Sequence, residues 1–157
     1  MKIRIAILIV AIVLSLLPLT SFADTYKVGD SFVGFSAADQ HGAVNTFKPG
    51  DAKVILFDTP SDGGESQHPQ DPQWFAKNHA LLLINISDFA PFKRRIAASR
   101  MESKPFKMLI VDDKAIAGKF PVQTGKFTVL TLDAGGKITS VAFAAPGPDL
   151  QKMVEGS

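Results

Sequence analysis

The sequence predicts an α/β domain with a mixed central sheet and an N-terminal β-hairpin extension. Two observations carry that prediction. Three short apolar runs, Val54 to Phe57, Ala80 to Ile86 and Phe106 to Val111, alternate with segments that read as helices. Such alternation implies parallel strands with helices packed on the sheet. Beyond them, Asp133-Ala134-Gly135-Gly136-Lys137 separates Thr128 to Leu132 from Ile138 to Phe143. That hairpin signal adds antiparallel strands and makes the sheet mixed.

Each element has a local reason. Tyr26 to Phe35 reads as an extended lead-in with a turn at Gly29-Asp30 and Phe32 and Phe35 as apolar anchors. Asp39-Gln40-His41-Gly42 is a turn signal, and Val44 to Phe47 is its return strand, closed by Pro49-Gly50-Asp51. Val54 to Phe57 is continuously apolar, as expected of a strand buried on both faces. Asp58 to Pro72 holds Pro60, Gly63, Gly64, Pro69 and Pro72 and has no periodicity, so it is a loop. Asp71 is the cap of a short helix with Pro72 at its first position and Trp74 and Phe75 on its buried side. After the strand Ala80 to Ile86, Ser87 or Asp88 is expected to cap a longer helix whose buried stripe is Phe89, Phe92 and Ile96, with Lys93, Arg94, Arg95 and Arg100 opposite. Pro105 precedes the third strand, Asp112 to Phe120 holds a short helix stopped by Pro121, and Pro148 opens a terminal helix with Leu150, Met153 and Val154 as contacts.

The composition is that of an ordinary folded domain: 46% of the 157 residues are hydrophobic and 20% charged, which excludes disordered and collagen-like chains. Lys2 and Arg4 precede an apolar run from Ile5 to Leu17, followed by Pro18 and then Ser21-Phe22-Ala23. This is the layout of a secretory signal peptide, residues 1–23, cleaved after Ala23. The run is shorter than the roughly 20 apolar residues of a comfortable membrane span; a retained anchor is the alternative. The expected product is a single domain, 24–157, that is periplasmic or secreted and has no membrane attachment after cleavage. Lys2 and Arg4 are two of the 17 basic residues, so the remaining 15 face 15 acidic ones and the product is neutral. That balance argues against nucleic-acid binding. The chain has no cysteine, which removes every thiol nucleophile, peroxidatic thiol and dithiol.

With these residues laid out, the chain resembles the thioredoxin fold in its peroxiredoxin-like branch. Tyr26 to Phe32, Phe35 and Asp39-Gln40-His41-Gly42 look like that branch's opening, a V-G-D-x-x-P-x-F segment and a D-x-x-G turn. Pro105 to Val122 and Thr128 to Ile138 are similar to its late strand, short helix and T-F-x-I-D-x-x-G-x-I hairpin. The resemblance implies a thioredoxin-like three-layer sandwich. It does not bring the chemistry: where such proteins carry P-x-x-x-T-x-x-C, Pro60 fits the first position, Gly64 stands for the Thr and Gln67 for the Cys. Lys126-Phe127 also replace the proline that usually precedes the hairpin threonine. Peroxide reduction and thiol exchange by the family's route are therefore excluded.

Two groups of residues remain as candidates for function. Asp58, Asp62, Glu65, His68 and Asp71 lie within one loop after a parallel strand, where α/β folds place ligands. Carboxylates with one imidazole suit a divalent metal or acid-base work; the simplest reading of the same residues is an exposed loop in which Asp and Pro make turns. Residues 93–126 carry 9 basic and 3 acidic side chains. Lys93, Arg94, Arg95 and Arg100 could engage a protein partner or a small anionic ligand, or simply solvate one helix face. His41 fits a turn, and His79 fits a helix C-terminus. Asn85-Ile86-Ser87 matches a glycosylation sequon but ends a strand expected to be buried. No dinucleotide or phosphate-binding fingerprint is present, so an oxidoreductase with bound flavin is the weakest reading. The leading expectation is a binding or adaptor module, without thiol chemistry and with no cofactor, that engages a partner through the loop Asp58 to Asp71 or the basic helix around Arg94; the alternative is a metal-binding protein or enzyme using the loop.

Overall fold

The structure is a computed structural model and describes residues 24–61 and 68–157. Residues 1–23, the segment expected to be a signal peptide, and residues 62–67 lie outside the described residues. Seven strands form one sheet: β1 (Phe35–Asp39), β2 (Val44–Phe47), β3 (Val54–Asp58), β4 (Ala80–Asn85), β5 (Met108–Val111), β6 (Phe127–Leu132) and β7 (Ile138–Ala144). Their spatial order is β2-β1-β5-β4-β3-β6-β7. β3, β4 and β5 pair in parallel, while the first hairpin joins antiparallel at β5 and the last joins antiparallel at β3. Helices α1 (Pro72–Lys77), α2 (Pro91–Glu102), α3 (Lys114–Ala117) and α4 (Pro148–Glu155) complete the α/β sandwich. Among the described residues no helix is long and apolar enough to cross a membrane.

The three apolar runs are the parallel strands because both sheet faces are covered. All of β3 is buried, with Ile55 and Phe57 in one core and Val54 and Leu56 in the other, as period-two alternation requires. One core is aromatic. Phe32 sits 5.1 Å from the Tyr26 ring and 5.6 Å from Phe47, and Phe57 stacks on Phe120 at 4.1 Å. The lead-in 24–34 delivers two of these rings by running across that face, held by Tyr26 N–H to Lys119 O and Phe32 N–H to Gly136 O, both at 2.8 Å. The other core lies under α1, α2 and α4, which contribute Phe75, Met101, Leu150 and Val154.

The turn chemistry is also as expected. Asp71 caps α1 by accepting from Gln73 N at 2.9 Å, with Pro72 in the first turn. Asp133 Oδ1 accepts from Gly135 N and Lys137 N and closes the β6–β7 hairpin.

The α2 reading needs correction. Its N-cap is Ala90, not Ser87 or Asp88, and no side chain caps it. Pro91 decides this, because the residue before a proline is pushed out of the helical region and proline itself suits the first turn. Phe89 therefore lies before the helix, where it still packs against the core as expected. The inward stripe is instead Arg94, Ala97, Ala98 and Met101, while Phe92 and Ile96, expected in the core, are 57% and 50% exposed. Two smaller differences follow local geometry. β5 begins at Met108 although Phe106 is buried, and Trp74 is only half-buried because its indole N–H reaches out to Glu155 Oε1 at 2.9 Å.

Candidate functional site

Ligands of open α/β sheets gather beyond the carboxyl ends of parallel strands, and that end of this sheet is where buried polarity collects. β3 ends at Asp58, which is 5% exposed and sits beside Ile84 in register. Pro60 follows closely, and a proline cannot continue the ladder. Asn85, the last residue of β4, is buried and points its amide toward Thr59 Oγ1 at 3.5 Å, while its Oδ1 accepts from Ser87 N at 3.0 Å. Thr128 faces Phe57 across the β3–β6 pair; it is 1% exposed and donates its hydroxyl proton to Pro121 O. Asp58, Asn85, Ser87 and Thr128 are thus four of the five buried polar side chains described, and all lie at one end.

The fifth, Gln40, works at the other end. Its side-chain amide donates to Phe106 O at 2.7 Å and accepts from Met108 N at 3.1 Å, pairing with β5 as a further strand residue would.

The loop candidates are dispersed. Asp58 is in the buried cluster, and Asp71 is occupied as the α1 cap. His68 is half-buried, with its ring edge-on to Phe106 at 5.0 Å and its Nδ1 3.0 Å from Gln70 Nε2. Asp58 is level with Ile84, and Ile84 with Ile110, so Phe106 starts four residues, about 13 Å of strand, further down the sheet. His68 therefore anchors the returning loop well away from Asp58. Asp62 and Glu65, and Gln67 at the position of the family's cysteine, lie outside the described residues. Among the described residues no group of three or more His, Asp or Glu side chains is placed to hold a metal ion.

The basic helix divides into two roles. Arg94 turns inward: its Nε donates to Phe89 O at 2.9 Å and its Nη2 to Ser87 O at 2.8 Å, tying α2 to the segment that leaves β4. Arg95 and Arg100 are exposed, and Lys93 is half-buried. Phe92 and Ile96 stand one turn apart among these outward cations.

Sequence reasoning missed Asn85 and Thr128 as members of a buried cluster, and missed the apolar character of the outer α2 face. Pro91, which sets the phase of the helix, is the signal that could have revealed that face.

No family model matches the chain, and no curated protein matches it. Its likeness to solved structures is clear. A peroxidoxin from Mycobacterium tuberculosis aligns with a TM-score of 0.57 at 16% identity, covering 82% of this chain and 94% of that one. The thioredoxin domain of a thiol-disulfide oxidoreductase from Bacteroides vulgatus aligns at 0.56 and 16%, covering 84% and 98%. A peroxiredoxin-like protein from Aquifex aeolicus aligns at 0.55 and 15%, covering 84% and 88%. These identities carry the fold and no activity. The molecule is a thioredoxin-fold protein, built like thiol-disulfide oxidoreductases and peroxiredoxin-like proteins, that contains no cysteine.

Proposed function

We propose that this protein is an exported binding module that docks a protein partner on the outer face of α2. The observation that carries the reading is the exposed pair Phe92 and Ile96, set beside the exposed Arg95 and Arg100. Large apolar side chains grouped at a surface and rimmed by charge are a common mark of interaction sites. The complementary partner presents an apolar spot ringed by carboxylates. The absence of cysteine agrees with such a role, since the fold is kept while thiol chemistry is impossible. Export rests on the leader 1–23 with cleavage after Ala23.

The test is quantitative affinity capture from the protein's own compartment with the wild type, Phe92→Gln/Ile96→Gln and Arg95→Glu. A specific partner retained by the wild type and reduced at least about tenfold by either variant, a change of about 1.4 kcal/mol, supports the reading. Equal capture by all three overturns it.

The second reading is a divalent metal bound in the loop after β3, with Asp58 as a ligand and without His68 or Asp71, which the fold holds elsewhere. It is favoured by the burial of the Asp58 carboxylate at the end of a parallel strand. Under it, Asp58→Ala abolishes metal uptake in equilibrium dialysis while His68→Ala leaves it unchanged; under the first reading, uptake is absent from the wild type as well.

A further inference from the structure

A groove of about 510 Å³ opens at the amino-terminal end of the parallel strands, between the first hairpin and α1. It lies at the other end of the sheet from Asp58 and is separate from the α2 face. We propose that it binds a small molecule with an apolar body and a carboxylate head.

Its size suits a small ligand, since such sites run about 300–1,000 Å³. The half-buried Leu81 and the edges of the buried, stacked Phe75 and Phe106 line it and face the body. Two nitrogen groups on the rim offer donors to the head. Lys107 Nζ is held by Asn45 Oδ1, and the Asn45 amide nitrogen is itself fixed, donating to Asp39 Oδ2 at 3.1 Å and Ala43 O at 2.7 Å. An ammonium has three donors, so two remain for a ligand. The Asp51 carboxylate also borders the groove, but it accepts from Lys48 N at 2.7 Å within its own turn.

His79 supplies the second donor. It follows the C-cap of α1 with φ +47° and is the one non-glycine residue at positive φ among those described. Glycine is the usual residue there, and a side chain in this region costs about 1–2 kcal/mol. The backbone alone does not require histidine. Its carbonyl accepts from Lys53 N at 2.9 Å and Val54 N at 3.3 Å, which any residue would do. Its exposed imidazole makes no hydrogen bond among the described residues and borders the groove. A strained residue whose exposed side chain makes no hydrogen bond among the described residues points to a ligand.

Decanoate and 3-phenylpropionate are the probes, with their neutral primary amides as controls, followed by amide chemical shifts in NMR titrations. The expected result is saturable shifts at Leu81, His79 and Lys107, at least about tenfold weaker binding of the amides, and a similar loss in Lys107→Gln. His79→Asn keeps the left-handed backbone and is expected to weaken binding at least about threefold with no fall in thermal midpoint. Shifts confined to the Asp58 end, equal binding of acid and amide, or no binding up to about 10 mM would each overturn the proposal.

Discussion

Arg94 and Arg95 are neighbours in sequence with opposite tasks, and the difference is measurable. Arg94 donates two hydrogen bonds to carbonyls that have left the β4 ladder. Replacing it with Met leaves Ser87 O and Phe89 O without these donors, so Arg94→Met is expected to lower unfolding free energy by about 1–3 kcal/mol in urea titrations. Arg95→Met is expected to stay within about 0.5 kcal/mol of wild type, because it is exposed. Equal effects would refute the division. Gly136 is a second position where one atom decides. It has φ +80°, and a Cβ there would lie 2.4 Å from Pro49 Cβ. Gly136→Ala combines backbone strain with overlap and is expected to cost about 2–4 kcal/mol by the same assay. In the aromatic core, Phe32 is 1% exposed among Tyr26, Phe35, Phe47 and Phe120, and Phe32→Ala is expected to cost about 3–5 kcal/mol.

At the scale of elements, strands and turns were legible in the sequence, and the phase of α2 was not. β3 and β4 are apolar up to their last residues, Asp58 and Asn85, and such runs have few alternatives once both faces are covered. Asp71-Pro72 and Asp133 to Lys137 encode their cap and hairpin locally. The stripe of α2 is instead Arg94, Ala97, Ala98 and Met101, with an arginine leading and two alanines in it. Hydropathy favours Phe92 and Ile96 over that stripe, and only the position of Pro91 reverses the choice. The buried polar cluster was hidden for another reason. Asp58, Asn85 and Thr128 come from three strands, and only the pairing register brings them to one end.

The first hairpin carries a pH dependence. Burial pushes the Asp39 carboxyl up, but hydrogen bonds from Ala43 N, the Asn45 amide and His41 N outweigh it and hold it below its ordinary 3.8. A depressed carboxyl stabilises the fold above its unfolded value, and that contribution is lost as pH falls through the folded value. Asp39→Asn is therefore expected to be less stable than wild type at neutral pH, with the gap narrowing below about pH 4. Urea midpoints measured across that range check this, and a constant gap would contradict it.

For the whole molecule, the thioredoxin fold has been separated from its sulfur chemistry. A seven-stranded sheet with two complete cores stands without a disulfide, so its thermal midpoint is expected to be the same with and without reductant. What remains is a scaffold presenting an unburied apolar and cationic helix face. The most direct test of the binding-module account is native mass spectrometry of the protein isolated from its own compartment, without chelator. The account predicts the Asp24 to Ser157 chain in a complex with a second protein, a complex that Phe92→Gln/Ile96→Gln dissolves. The bare chain, or the chain with only a metal ion or flavin, would contradict it.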